Sequence, residues 1–454
     1  MHNVRTCRLA RHPSPLTLRQ PIMAATTSLL LSLAATVIAD ESGICWQPAQ
    51  VIASGDAHVG PWRMNESDFR YVDDPTVALR QDGTAAVLWV DQARQDIFFQ
   101  SIDPGGEPQQ NEPSNVSRSG DTFSWLPRVT IAGDDPETLY VLWQEILFSG
   151  GSHGGDILFA RTQDGGKTFS EPINLSQSRE GAGKGRLTEQ RWDNGSLDLA
   201  EGPDGTIWAA WTAYEGDLSI SHSLDGGSTF TQPQPVARDD SRPARAPSLA
   251  VDGEGRVHLA WSLGEDTAAD IHYILLDSSG AILAEPAAVA TSPGHADAPS
   301  LAVDANGTVH LAYAEAADGP GHPASILYSR SERDEHFIVP RELVDEGSER
   351  TAGQGYPSIT VTGRHIHLLW ERFPDPRQRP RGLGMMHSAD GGETFSPPSS
   401  VPESVVEAGF NGNLQGLLTH KLAVNDNGDI AVVNSTFLPD EASHVWLIRG
   451  RHER

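Results

Sequence analysis

The sequence predicts an all-β fold: a β-propeller of four-stranded blades, seven by repeat count with six as the alternative, closed by an N-terminal strand. Three observations predict it. A two-strand unit recurs seven times, at spacings of roughly 50 to 70 residues, which is the period of propeller blades. A glycine-rich turn is written three times, as "TQDGGKTFSEP" from Thr162, "SLDGGSTFTQP" from Ser223 and "SADGGETFSPP" from Ser388. The last unit reaches the C-terminus after its third strand, while "WQPAQVIA", from Trp46, has the form of a fourth strand placed ahead of the first unit.

Taken in order, residues 1–39 read as a signal-peptide region, with an apolar run from Leu29 to Ile38, small residues before Asp40, and Met23 as an alternative start. Residues 40–454 read as a single propeller domain. The seven units open at Pro75, Pro127, Gly195, Pro247, Pro299, Pro357 and His420. Each is an apolar strand, a polar or glycine-containing turn, and a second strand, as in "PSLAVDGEGRVHLAW" and "PSLAVDANGTVHLAYAE". Third strands such as "DILFART", "LSISHS" and "SILYSR" follow, then short fourth strands such as "EPINLS" and "QPQPVA". Trp89, Trp143, Trp211, Trp261, Tyr313 and Trp370 share one slot in the repeat, which assigns them to packing between blades. Pairing of "WQPAQVIA" with the terminal "HVWLIRG" removes the open edges that an unclosed array would expose.

The chain carries 61 acidic against 33 basic side chains, a net charge of −28 that becomes about −32 when the four arginines of the leader are removed. Such a balance argues against nucleic acid as a partner. After the leader no run of about 18 apolar residues occurs, so no transmembrane segment is expected, and the product reads as a secreted or periplasmic monomer. Histidines are scattered without a companion carboxylate or cysteine motif; neither a metal nor another cofactor is expected.

In the repeated turn the aspartate accepts hydrogen bonds from nearby backbone amides, the glycines take positive φ, and the phenylalanine plugs the space beneath. Asp164, Asp225 and Asp390 are therefore structural. The string S/T-x-D-x-G-x-T-F resembles the Asp-box, or BNR repeat, of sialidases and related secreted proteins, and the resemblance runs from about residue 46 to 450. It implies hairpins between the third and fourth strands of blades, and a glycan-directed function. The chain departs from sialidases in having seven units rather than six and in lacking an Arg-Ile-Pro motif; Arg245-Ala246-Pro247 and "FRYVDDP" come nearest.

In a propeller the start of each first strand and the end of each second strand meet on one face, and loops there carry function. The catalytic candidates on that face are Asp73, Asp193, Tyr356 and Glu371, with Tyr356 as nucleophile and Glu371 as its base by analogy with sialidases. The ligand-binding candidates are Arg242, Arg245, Asp297, Trp125, Trp192 and Arg372: guanidinium groups for an anion and indoles for a sugar ring. The expected function is recognition of a glycan, an anionic one by the clustered arginines. An active exo-sialidase-like glycoside hydrolase and a protein-binding scaffold are the alternatives.

Overall fold

The computed structural model describes residues 38–39, 43–147, 155–178, 181–188, 191–194, 196–237, 242–291, 294–331, 336–343, 352–375, 378–413 and 418–452. Apart from Ile38–Ala39, the leader assigned to residues 1–39 lies outside them.

Seven antiparallel sheets form the blades of an all-β propeller. Blade one contains Val72–Leu79, Ala85–Asp91, Asp96–Ile102 and Ser114–Asn115, and blade two Ser124–Ile131, Leu139–Glu145, Asp156–Thr162 and Ile173–Asn174. The first strands of blades three to seven are Leu197–Glu201, Ala244–Val251, His295–Val303, Gly353–Thr362 and Leu422–Val424. Each first strand packs on those of the neighbouring blades, and Leu422–Val424 returns to Val72–Leu79, so the seven close into a ring. The second strands, such as Ala85–Asp91, Leu139–Glu145 and Ile207–Thr212, are buried almost throughout and read as apolar runs because both of their faces are covered. The shared aromatic slot is buried as expected; Trp89, Trp143, Trp211, Trp261, Tyr313 and Trp370 are each at most 3% exposed.

The ring is fastened by its two ends. Gln50–Gly55 pairs antiparallel with the last strand, Ala442–His452, and Ile44–Trp46 continues along the same edge. Ile44 and Trp46 then pack with Ile430, Val432, Trp446 and Ile448 in one apolar cluster. Trp46 lies so close over Gly450 that an added Cβ would meet its ring at 2.8 Å.

The three Asp-Gly-Gly turns occupy hairpins between third and fourth strands of blades two, three and six. In each, one aspartate oxygen accepts from the Ser or Thr two residues earlier and from the backbone N–H of the Thr four residues later, whose hydroxyl donates to the other oxygen. The plugs reach across to the preceding blade: Phe169 against Phe99, Phe230 against Phe159 and Phe395 against Tyr328. These turns clamp blade to blade. Two further hairpins, His58–Val59 with Phe69–Arg70 and Lys184–Thr188 with Arg191–Asn194, stand outside the blades.

Candidate functional site

Five first strands enter through the same unusual device. Asp74, Leu126, Ala246, Ala298 and Tyr356 each precede a proline and each have φ between 49° and 59°. Non-glycine residues resist that region, and residues before proline do so further. Each sits in a β-bulge, where the pairing register shifts by an extra residue. Strained backbone of this kind concentrates at functional sites, and here it marks one face. The bulge also decides where the preceding side chain points, which the linear sequence does not reveal.

Most of the anticipated residues lie on this face, but several are tied into it. Asp73 is buried and accepts hydrogen bonds from Ser435 Oγ at 2.6 Å and Asn413 N at 2.7 Å, joining blade one to blade seven. Trp125 is 3% exposed, and its indole N–H donates to Gln92 at 3.0 Å, so its ring presents little surface to a sugar. Glu371 is buried and hydrogen-bonded to Lys421 Nζ and Asn411 Nδ2, while Lys421 Nζ also donates to Asn434 at 2.9 Å. Arg242 donates to the carbonyls of Leu263 and Ala268 at 3.2 and 3.1 Å. Arg372 donates to Ser400 Oγ at 2.6 Å. Trp192 and Asp193 lie in the second strand of the hairpin opposite Arg186 and Gly185.

Arg245 and Asp297, by contrast, lead to a cavity. Arg245 is fully buried; its Nε donates to Asp297 Oδ1 at 3.1 Å, and its Nη2 is 3.0 Å from His295 Nε2. His295 Nδ1 is 2.7 Å from the carbonyl of Asp266, which fixes the ring. Burial alone would raise the Asp297 carboxyl, but Arg245 and His295 more than offset this and hold it well below the usual carboxylate range. Asp297 is thus a fixed anion, unable to supply a proton.

The cavity, of about 100 Å³, lies between blades five and six and is lined by His295, Asp297, His322, Gln354, Tyr356 and Phe373 among others. His322 is exposed at its mouth, and Tyr356 is half-buried with Phe373 6.1 Å away, ring to ring. Gln354 is buried, and its Oε1 has no hydrogen-bond partner in the protein. Glu371 is not among the lining residues, so the pairing of Tyr356 with Glu371 is not formed. On the propeller axis the space between Arg128, Pro247, Pro299, Pro357 and His420 is only about 20 Å³, too small for a sugar ring. A shallower depression of about 520 Å³ on the opposite face is lined by Arg330, Arg364 and Asp390, and its arginines donate to carbonyls of an Asp-Gly-Gly turn.

His295, His322, Gln354, Trp62 and Lys421 do not stand out in the sequence. The one available signal was position. "HADAP" places His295 two residues before Asp297 at a strand entry, and Trp62 stands in a loop with no repeat slot to explain it. Among the described residues no group of three or more His, Cys, Asp or Glu is arranged to hold a metal ion, and no helix is long and apolar enough to cross a membrane.

No family model matches the chain, and no curated protein matches it. Solved structures do. An ulvan lyase of polysaccharide lyase family PL25, bound to -[GlcA(1-4)Rha3S]-, superposes with a TM-score of 0.56 at 14% identity, covering 88% of this chain and 96% of its own. The polysaccharide lyase Uly1 gives 0.51 at 10% identity, over 84% and 90%. An α-L-arabinanase of Penicillium chrysogenum gives 0.45 at 14% identity, over 71% and 92%. The chain therefore shares the seven-bladed fold found in glycan-active enzymes, which is a broader grouping than sialidases.

Proposed function

We propose that this protein binds an acidic polysaccharide on the face of the strand entries and cleaves it by elimination in the cavity between blades five and six. The carrying observation is the composition of that cavity. Its lining includes one carboxylate, Asp297, and Arg245 and His295 keep that group ionised, while His322 and Tyr356 stand beside it as proton carriers. Hydrolysis by two carboxylates needs a protonated acid and a second carboxylate at a controlled distance. An imidazole and a phenol instead suit removal of a proton α to a carboxylate.

In that reaction the base takes the proton from C5 of a uronate. The C5–H electrons form the C4=C5 double bond, and the C4–O bond breaks with its electron pair on O4, which receives a proton. Atoms and electrons balance without water or an oxidant. Tyr356 and His322 are assigned these two proton transfers, and Arg245 is a positioning residue for Asp297 and His295. Two of the similar structures are polysaccharide lyases, one of them holding a glucuronate-containing ligand, which supports the substrate class. Export by the N-terminal leader fits a polymer met outside the cell.

The test is product analysis. The protein is incubated with a polymer of glucuronate and rhamnose-3-sulfate, with polygalacturonate and with neutral arabinan. The expected outcome is ultraviolet-absorbing unsaturated uronate from an acidic polymer, and its loss in Tyr356→Phe and His322→Ala at unchanged melting temperature. Saturated, hydrated products from any of the three would overturn elimination.

A further inference from the structure

On the same face, outside the cavity, Trp62 stands in the loop of the hairpin formed by His58–Val59 and Phe69–Arg70 and is 44% exposed. Its position is fixed from beneath. The ring lies nearly parallel to Phe69, at 6.2 Å and 21°, and 5.4 Å from the buried Trp125. Two aromatic rings hold the indole in place and it still meets solvent, an arrangement suited to the apolar face of a pyranose.

Lys184 stands over that ring with Nζ 6.0 Å from its centroid. The backbone beside Lys184 is held tightly: Gly183 N donates to Thr212 O at 2.9 Å, Ser196 N donates to Gly183 O at 3.1 Å, and Thr212 Oγ1 donates to Lys184 O at 3.2 Å. Among the described residues no carboxylate forms an ion pair with the Lys184 ammonium, although the chain carries 61 acids. Burial lowers its pKa, so a bound anion would stabilise the charged form. Gly185 connects this group to the cavity, because an added Cβ there would meet Arg245 Cβ at 2.2 Å, and Arg245 in turn holds Asp297 and His295.

We infer that Trp62 and Lys184 form a separate subsite for an acidic sugar unit, stacking its ring on the indole and pairing its carboxylate or sulfate with the ammonium. The inference rests on the acidic-glycan reading above and extends it. An oligosaccharide long enough to pass from the cavity over Arg245 engages both places; a disaccharide engages only one.

The test titrates the protein calorimetrically with a disaccharide and an octasaccharide of the glucuronate–rhamnose-3-sulfate repeat, at low and high salt. Lys184→Met and Trp62→Ala should each weaken the octasaccharide by about 10-fold and leave the disaccharide within about 2-fold, with the loss in Lys184→Met shrinking at high salt. Trp62→Phe should restore most of the octasaccharide affinity. Equal octasaccharide affinity in wild type and both variants overturns the subsite and leaves the cavity reading standing, as does an equal loss for both ligands. A wild type that binds neither ligand overturns the cavity reading and the subsite together.

Discussion

Glu145 shows how much one side chain's surroundings decide. It ends the second strand of blade two, 1% exposed, accepting hydrogen bonds from Thr122, Ser124 and, at 2.9 Å, the Trp143 indole. Burial pushes its carboxyl up to about 7 despite those donors. The folded protein therefore binds this proton more tightly than the unfolded chain, whose carboxyl titrates near 4.5. The associated stability is complete below about pH 4.5 and is lost as the pH rises through about 7, amounting to about 3 kcal/mol. Denaturant titrations at about pH 5 and pH 8 should show wild type losing stability relative to Glu145→Gln over that interval; parallel profiles would contradict the assignment. At this scale the sequence supplied residue types and repeat slots. Arg245 and Asp297 were legible as strand-entry residues, but their mutual pairing depends on a bulge that turns both inward.

Among the elements, the Asp-Gly-Gly hairpin is where local chemistry read from sequence was most nearly sufficient. The aspartate-centred bonds follow from residue types alone, and Asp225 sits at about 2, lowered chiefly by the Thr229 hydroxyl and amide. What the string does not disclose is why two glycines stand in succession. Both have positive φ, 63° at Gly226 and 80° at Gly227. A Cβ on Gly226 would meet only the flexible end of Arg161 at 3.3 Å, whereas one on Gly227 would strike the Phe159 ring of the preceding blade at 2.6 Å. The same clash recurs at Gly166 with Phe99 and at Gly392 with Tyr328. Gly226→Ala should accordingly cost about 1 kcal/mol of stability, from backbone conformation alone, and Gly227→Ala about 3 kcal/mol, since the interblade aromatic must move. Equal losses by chemical denaturation would remove the interblade contact as the reason for the second glycine.

For the molecule as a whole, the count of seven and the closure by the first strand were both readable, because each follows from a repeat that lacks one strand at one end and has one spare at the other. The face on which first strands enter and second strands leave was readable too, from the direction in which strands must run. The cavity was not, because it forms between blades five and six from residues up to 78 positions apart, from His295 to Phe373. The net charge of −28 likewise hides the local cation at Lys184 and the ionised Asp297 fixed by Arg245. Ligand binding is proposed for the strand-entry face, while the Asp-Gly-Gly turns clamp blade to blade. Hydrogen–deuterium exchange, with and without the glucuronate–rhamnose-3-sulfate octasaccharide, tests it most directly. Exchange should slow at 294–298, 319–324 and 353–356 and in the loop around Trp62, with the turns at 163–168, 224–229 and 389–394 unchanged; protection confined to those turns would place the ligand on the opposite face.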